Sequence, residues 1–155
     1  MAAILVIAHQ PLASALERSA RHVYSRDPRC GAYRLAALDV EADADPALLE
    51  QQVRRMLAEL DDGQGVLILT DCLGATPANV AARFGEAGKV EVVAGVNLPM
   101  LLRALCYSSA STLDALTEKA LVGGTRGIAS LGPTPPGERR PNPDDNDLAR
   151  LQDQQ

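Results

Sequence analysis

Tryptophan is absent from this 155-residue chain, and phenylalanine occurs once. With only Tyr24, Tyr33 and Tyr107 beside Phe84 there is no set of rings on which nucleic-acid bases could stack, and any core must be aliphatic. Positive charge is also in deficit. The 15 Lys and Arg stand against 20 Asp and Glu, a net charge of −5, and the part that reads as folded has no basic cluster. That argues against nucleic acid or an anionic membrane surface as the main partner. Cys30, Cys72 and Cys106 are odd in number and make no C-x-x-C pair, which fits a reducing cytoplasm better than a disulfide framework. No hydrophobic run is long enough to span a bilayer. The opening one is short, lacks a basic flank and ends in His9, so it reads as neither anchor nor signal peptide.

What is present is aliphatic: hydrophobic residues make up 46% of the chain, enough to fill one core. A single domain over 1–131 is expected. Ala2 to Ala8 form a near-continuous apolar stretch, the pattern of a central parallel strand buried on both faces, and Gln10-Pro11 break it. Leu12, Leu16, Ala20 and Val23 recur at helical spacing, which predicts an amphipathic helix over 12–26, ended by Asp27-Pro28. Tyr33 to Leu38 is a short strand candidate, followed by an acidic turn from Asp39 to Pro46. The stripe Leu49, Val53, Met56, Leu57 and Leu60 marks a helix from about 46 to 60, closed at Asp61-Asp62-Gly63.

Gly65 to Thr70 repeats the character of the first strand and ends on Asp71. Thr76 is then expected to cap a helix with Pro77 at its first position, running through Val80 and Phe84 to the Gly85–Gly88 turn. Val90 to Ala94 reads as a fourth strand, and Asn97 as the cap of a helix over Met100–Tyr107. A last helix is expected over Thr112–Val122, capped by Ser111 or Thr112 and ended by Gly123-Gly124. Ile128–Leu131 is a candidate final strand. Beyond it, residues 132–155 are rich in Pro, charge and Asn, cannot bury enough surface to offset ordering entropy, and read as a mobile tail with a brief helix over 144–152.

Strands alternating with helices predict a doubly wound α/β fold with a mainly parallel four-stranded sheet. In the order 2-1-3-4 the topology reverses between the first and third strands, and a crevice opens at that switch point. His9 ends the first strand and Asp71 the third. Neighbouring strands lie about 4.8 Å apart, so the two side chains can meet. A carboxylate on one imidazole nitrogen fixes the tautomer and leaves the other as a nucleophile. The helix beginning near Thr76 offers unpaired N–H groups to an anion at the same place. Together these suggest a histidine that carries a phosphoryl group. The plainer alternatives stay open at this point: His9 as a loop residue, and Asp71 as a turn cap. Cys72 has no base beside it and reads as an inert thiol. His22, Glu91 and Asp114 read as solvent-facing.

The strand ending in His9, the segment from Gly65 through Asp71-Cys-Leu-Gly74-Ala75-Thr76-Pro77-Ala-Asn79, and Val92-Val-Ala-Gly95-Val-Asn97-Leu-Pro99 resemble the EIIA domain of the mannose-type sugar phosphotransferase system. The likeness covers residues 3 to 131. It implies that His9 is the phosphorylated histidine, that Asp71 orients it, and that Gly74, Ala75, Thr76 and Asn79 hold the phosphoryl group, with Thr76 where the family commonly has Ser. It also implies HPr as donor, an EIIB component as acceptor, and contact with a membrane transporter only through such partners. A further implication is a homodimer in which a terminal strand, here 127–131, crosses between subunits. Gln10 and Leu73 depart from the common pattern of Gly and a bulky aromatic. No EIIB-like sequence follows, so a free-standing EIIA is expected, and a regulatory EIIA acting on a partner protein is the alternative.

Phosphoryl relay of this kind needs no cofactor and no metal. A strand-end His followed by Pro also suggests a small chelatase, but helical rise carries His22 about 20 Å away from His9. A receiver-type phospho-aspartate module lacks the acidic pair after the first strand that would hold magnesium.

Overall fold

The apolar run at the start of the chain becomes the central strand. In the computed structural model, which describes residues 1–28 and 32–132, Ala3–His9 form β1, with Ala3 to Ala8 buried and His9 exposed. Leu35–Val40 (β2) and Val66–Thr70 (β3) flank it, and Val90–Ala94 (β4) lies beyond β3. All three pairings are parallel, and the order is β2-β1-β3-β4. This is the expected doubly wound sheet.

The lack of polar alternation in β1 follows from its position between two helical layers. Ile4, Val6 and Ala8 enter one core with Leu12–Val23 (α1), Leu98–Tyr107 (α4) and Leu113–Arg126 (α5). Ala3, Leu5 and Ile7 enter the other with Pro46–Leu60 (α2) and Thr76–Ala82 (α3). A strand covered on both faces has no solvent side for polar residues. Helix starts are set by side chains: Asp45 accepts from the Ala47 amide at 2.8 Å, Asn97 from Met100 at 2.9 Å and Thr112 from Ala115 at 3.4 Å. Each such cap stabilises by about 1 kcal/mol.

Several boundaries differ from expectation. α1 stops at Val23 rather than 26, because Tyr24 is buried, donates to the Leu102 carbonyl at 2.9 Å and meets Tyr33 edge-on. Tyr33 is anchored there, its hydroxyl on Asp27 at 3.0 Å, so β2 begins at Leu35 and takes in Asp39, which the sequence reading placed in the following turn. α3 is shorter than expected, ending before Phe84. Gly123 and Gly124 do not end α5; they lie inside it, buried, and the helix continues to Arg126. A Cβ on Gly123 would lie 2.7 Å from Arg103 Cβ, and one on Gly124 2.6 Å from Met100 Cε. Close approach of α4 and α5 explains the glycine pair. Residues 128–131 form no strand within the described chain, and Ile128 and Leu131 are 76% and 97% exposed. The expectations for Cys30 and for the tail beyond Gly132 fall on residues outside the described ones.

Candidate functional site

β1 and β3 are neighbours, and their carboxyl ends put His9 beside Asp71. The Asp71 Oδ2 atom lies 2.7 Å from His9 Nδ1 and also accepts the His9 backbone N–H at 2.9 Å. Its Oδ1 accepts the Cys72 amide at 2.7 Å. Burial pushes the Asp71 carboxyl up, but the amide and ring N–H of His9 and the amide of Cys72 more than offset it, and its pKa lies below the ordinary carboxylate value. A carboxylate has no proton to give, so Nδ1 is the donor in this contact. When the ring is neutral, the lone pair is therefore on Nε2. The Asp71 side chain is 8% exposed and that of His9 48%, so an anchored face and an open face belong to one imidazole. The sequence signal for this pair was the repeated motif of an apolar strand ending in a polar residue.

Asp71 opens the β3–α3 loop. Gly74 has φ +84°, a conformation that a side chain disfavours, and the loop closes with Ala75 N–H on the Cys72 carbonyl at 3.1 Å and the Asn79 side-chain amide on the Gly74 carbonyl at 2.9 Å. Thr76 is not the cap of α3, contrary to expectation. Ala75 occupies that position, Thr76 is the first helical residue and Pro77 the second, so the Thr76 hydroxyl makes no capping bond and its side chain stays exposed. Among the described residues, the amides of Leu73, Gly74 and Thr76 donate no hydrogen bond to the chain. Of the four predicted residues, Gly74 and Ala75 thus lie in the loop, Thr76 opens α3, and Asn79, within α3, braces the loop.

Sequence reasoning missed two contributions. Cys72, read as an inert thiol, is exposed, and its main-chain N–H holds the Asp71 carboxylate. Asp39, across β1 from the β3 side, accepts the Ser14 amide at 3.0 Å in the first turn of α1. The available signal was Pro11, which has no side-chain acceptor to start a helix. His22 is exposed on α1, Asp114 is exposed on α5, and Glu91 is half-buried on β4 rather than solvent-facing. No group of three or more His, Cys, Asp or Glu among the described residues could hold a metal ion. The four loops at this edge, 10–11, 41–45, 71–75 and 95–97, contain Glu41, Asp43, Asp45 and Asp71 and no Lys or Arg. Leu73, 90% exposed, and Leu12, 39% exposed, are the large apolar side chains in that rim.

Residues 3–121, from the first residue of β1 into α5, match the EIIA-man family, described as PTS system fructose IIA component. The chain belongs to the EIIA-man family. It is 35% identical over 97 residues to the PTS system mannose-specific EIIAB component of Escherichia coli (strain K12), an alignment covering 61% of this chain and 30% of that protein. It is 28% identical over 106 residues to the PTS system fructose-specific EIIA component of Bacillus subtilis (strain 168), covering 68% and 69% of the two chains. The fold is shared with a crystal structure of phosphotransferase system component EIIA from Streptococcus agalactiae, with TM-score 0.73, 23% identity, and coverage of 84% of this chain and 98% of that one. EIIA-man membership places the chain among phosphotransferase-system components and agrees with a phosphocarrier role. No helix among the described residues of this EIIA-man chain is long and apolar enough to cross a membrane.

Proposed function

We propose that His9 takes a phosphoryl group from phospho-HPr on Nε2 and passes it to a histidine of an EIIB component. The observation that carries this reading is the 2.7 Å contact of His9 Nδ1 with the Asp71 carboxylate, which leaves Nε2 as the free nitrogen of a half-exposed ring. In the forward step the Nε2 lone pair attacks phosphorus, the phosphorus–nitrogen bond of the donor breaks, and the donor imidazole leaves with its electron pair. Asp71 stabilises the positive charge that the His9 ring gains. The onward step is the same displacement with His9 as the leaving group. Such transfers need positioning and charge stabilisation more than covalent machinery.

The β3–α3 loop is the proposed phosphoryl holder, through the unused amides of Gly74 and Thr76 and the Thr76 hydroxyl, with Ala75 in the turn and Asn79 fixing its shape. HPr and EIIB would approach over the rim that exposes Leu12 and Leu73, and contact with a membrane transporter would be through these partners, from a cytoplasmic position. Residues 127–131 are proposed as the strand exchanged in a homodimer. Support comes from the exposed apolar side chains of Ile128 and Leu131 and from β4, which pairs with β3 alone among the named strands. The proposed domain is 1–131, with 132–155 as a tail. The regulatory reading uses the same site and has no observation of its own in its favour.

Incubation with HPr, enzyme I and phosphoenolpyruvate, read by intact mass, tests the proposal. One phosphate per chain on wild type and none on His9→Ala is the expected result; an unlabelled wild type overturns it.

A further inference from the structure

α1 starts three residues after His9, and its first turn is placed without help from its own sequence. Its N-cap is Pro11, which makes no side-chain cap bond. The Ser14 hydroxyl donates to the Pro11 carbonyl at 3.2 Å and so does not accept in its place. The missing acceptor comes from the adjacent strand. β2 pairs with β1 in the register Ala8↔Asp39 and His9↔Val40, and Asp39 Oδ1 takes the Ser14 amide at 3.0 Å in a partly buried contact. The Val40 carbonyl takes the Gln10 amide at 3.0 Å. Carboxylates from both sides therefore tie down the segment that carries His9: Asp71, directly after β3, at the residue itself, and Asp39, in β2, at the helix that follows.

The two carboxylates do different things. Asp71 touches the reacting ring. Asp39 sits on the positive end of a 12-residue helix whose first turn, unpaired, would attract an anion. From these contacts we propose that Asp39 is a positioning residue for phosphoryl transfer: it sets the protein's own negative charge on the Ser14 amide in the first turn of α1, so that a phosphoryl group on His9 is favoured less by that helix end and is held mainly by the β3–α3 loop. The consequence is thermodynamic. A phosphohistidine deprived of one favourable helix end, with a fixed negative charge in its place, is less stable and is discharged more readily to the next acceptor. This inference rests on the phosphocarrier reading.

Asp39→Asn and Asp39→Ala separate charge from capping. The Asn side chain keeps an oxygen for the Ser14 amide and loses the charge, whereas Ala loses both. The measurement is the ratio of phosphorylated to free chain at equilibrium with HPr, at fixed donor and low salt, with thermal melts alongside. The expected result for Asp39→Asn is a ratio about threefold above wild type, the size of one carboxylate's repulsion of a phosphoryl group across a partly solvated gap. Asp39→Ala is expected to raise the ratio as well and to melt about 4 °C lower through loss of the cap. A merely structural cap would move the melts and leave the ratio alone. An Asn variant with an unchanged or lower ratio overturns the proposal, however it melts. A wild type that takes no phosphate defeats the phosphocarrier reading and this inference with it; a labelled wild type beside an unchanged Asn ratio defeats this inference alone.

Discussion

Replacing Asp71 by asparagine removes a charge with almost no change of shape. The native carboxylate accepts three N–H groups, those of the His9 amide, the His9 ring and the Cys72 amide, at 2.9, 2.7 and 2.7 Å. Asparagine has one accepting oxygen and one donating nitrogen, so one end always sets a donor against a donor. With the NH2 group toward His9, Nδ1 must accept, the ring proton moves to Nε2 and the nucleophilic lone pair is lost. With the oxygen toward His9 the tautomer survives, held by an uncharged bond of about half the strength. Losing one charge-assisted bond removes about 1.5–3 kcal/mol, and at about 1.4 kcal/mol per decade labelling should slow by about 10- to 100-fold in the variant. The assay is the initial rate of phosphate incorporation from HPr by intact mass, with a thermal melt to show that the variant is folded. A folded Asp71→Asn chain labelled within about twofold of the wild-type rate would refute the claim that this carboxylate sets the tautomer.

Acid should weaken the fold in part through the same residue. Because the folded pKa of Asp71 is lowered, its contribution is present above the unfolded carboxylate value and is lost as pH falls below about 4 through the folded one. The stability gap between wild type and Asp71→Asn should accordingly shrink on acidification, and a gap independent of pH would contradict this. Thr70 is fully buried and its hydroxyl has no partner among the described residues, so the isosteric Thr70→Val change should stabilise by about 1 kcal/mol, seen as a melt about 3 °C higher. Gly123→Ala should destabilise by about 1–3 kcal/mol in urea unfolding, because the added methyl falls 2.7 Å from Arg103 Cβ; the usual gain of Gly→Ala in a helix interior would show that α4 and α5 are free to separate.

The sheet was legible because burial on both faces imposes a pattern on every central strand: β1 and β3 read as apolar runs, β1 ending on His9 and β3 followed at once by Asp71. Caps at Asn97 and Thr112 were legible for a related reason, since a helix start needs a local acceptor. What escaped depended on contacts distant in sequence. Nothing near Gly123-Gly124 says that Arg103 and Met100 press against that face, so the pair looked like a stop signal. Nothing near Asp39 says that a helix 25 residues earlier lacks a cap. Thr76 misled by one position: Ala75 already has the extended backbone of a cap, which shifts the threonine into the helix and leaves its hydroxyl unused.

The most direct test of the account is the identity of the phosphorylated nitrogen. With 15N-labelled histidine, the imidazole correlations of the phosphorylated protein distinguish the two ring positions. Phosphate on Nε2 of His9, with Nδ1 still protonated and hydrogen-bonded to Asp71, is the predicted result. Phosphate on Nδ1, or on His22, would contradict it, because the first requires breaking the contact that organises the site and the second requires a histidine that the fold leaves outside it.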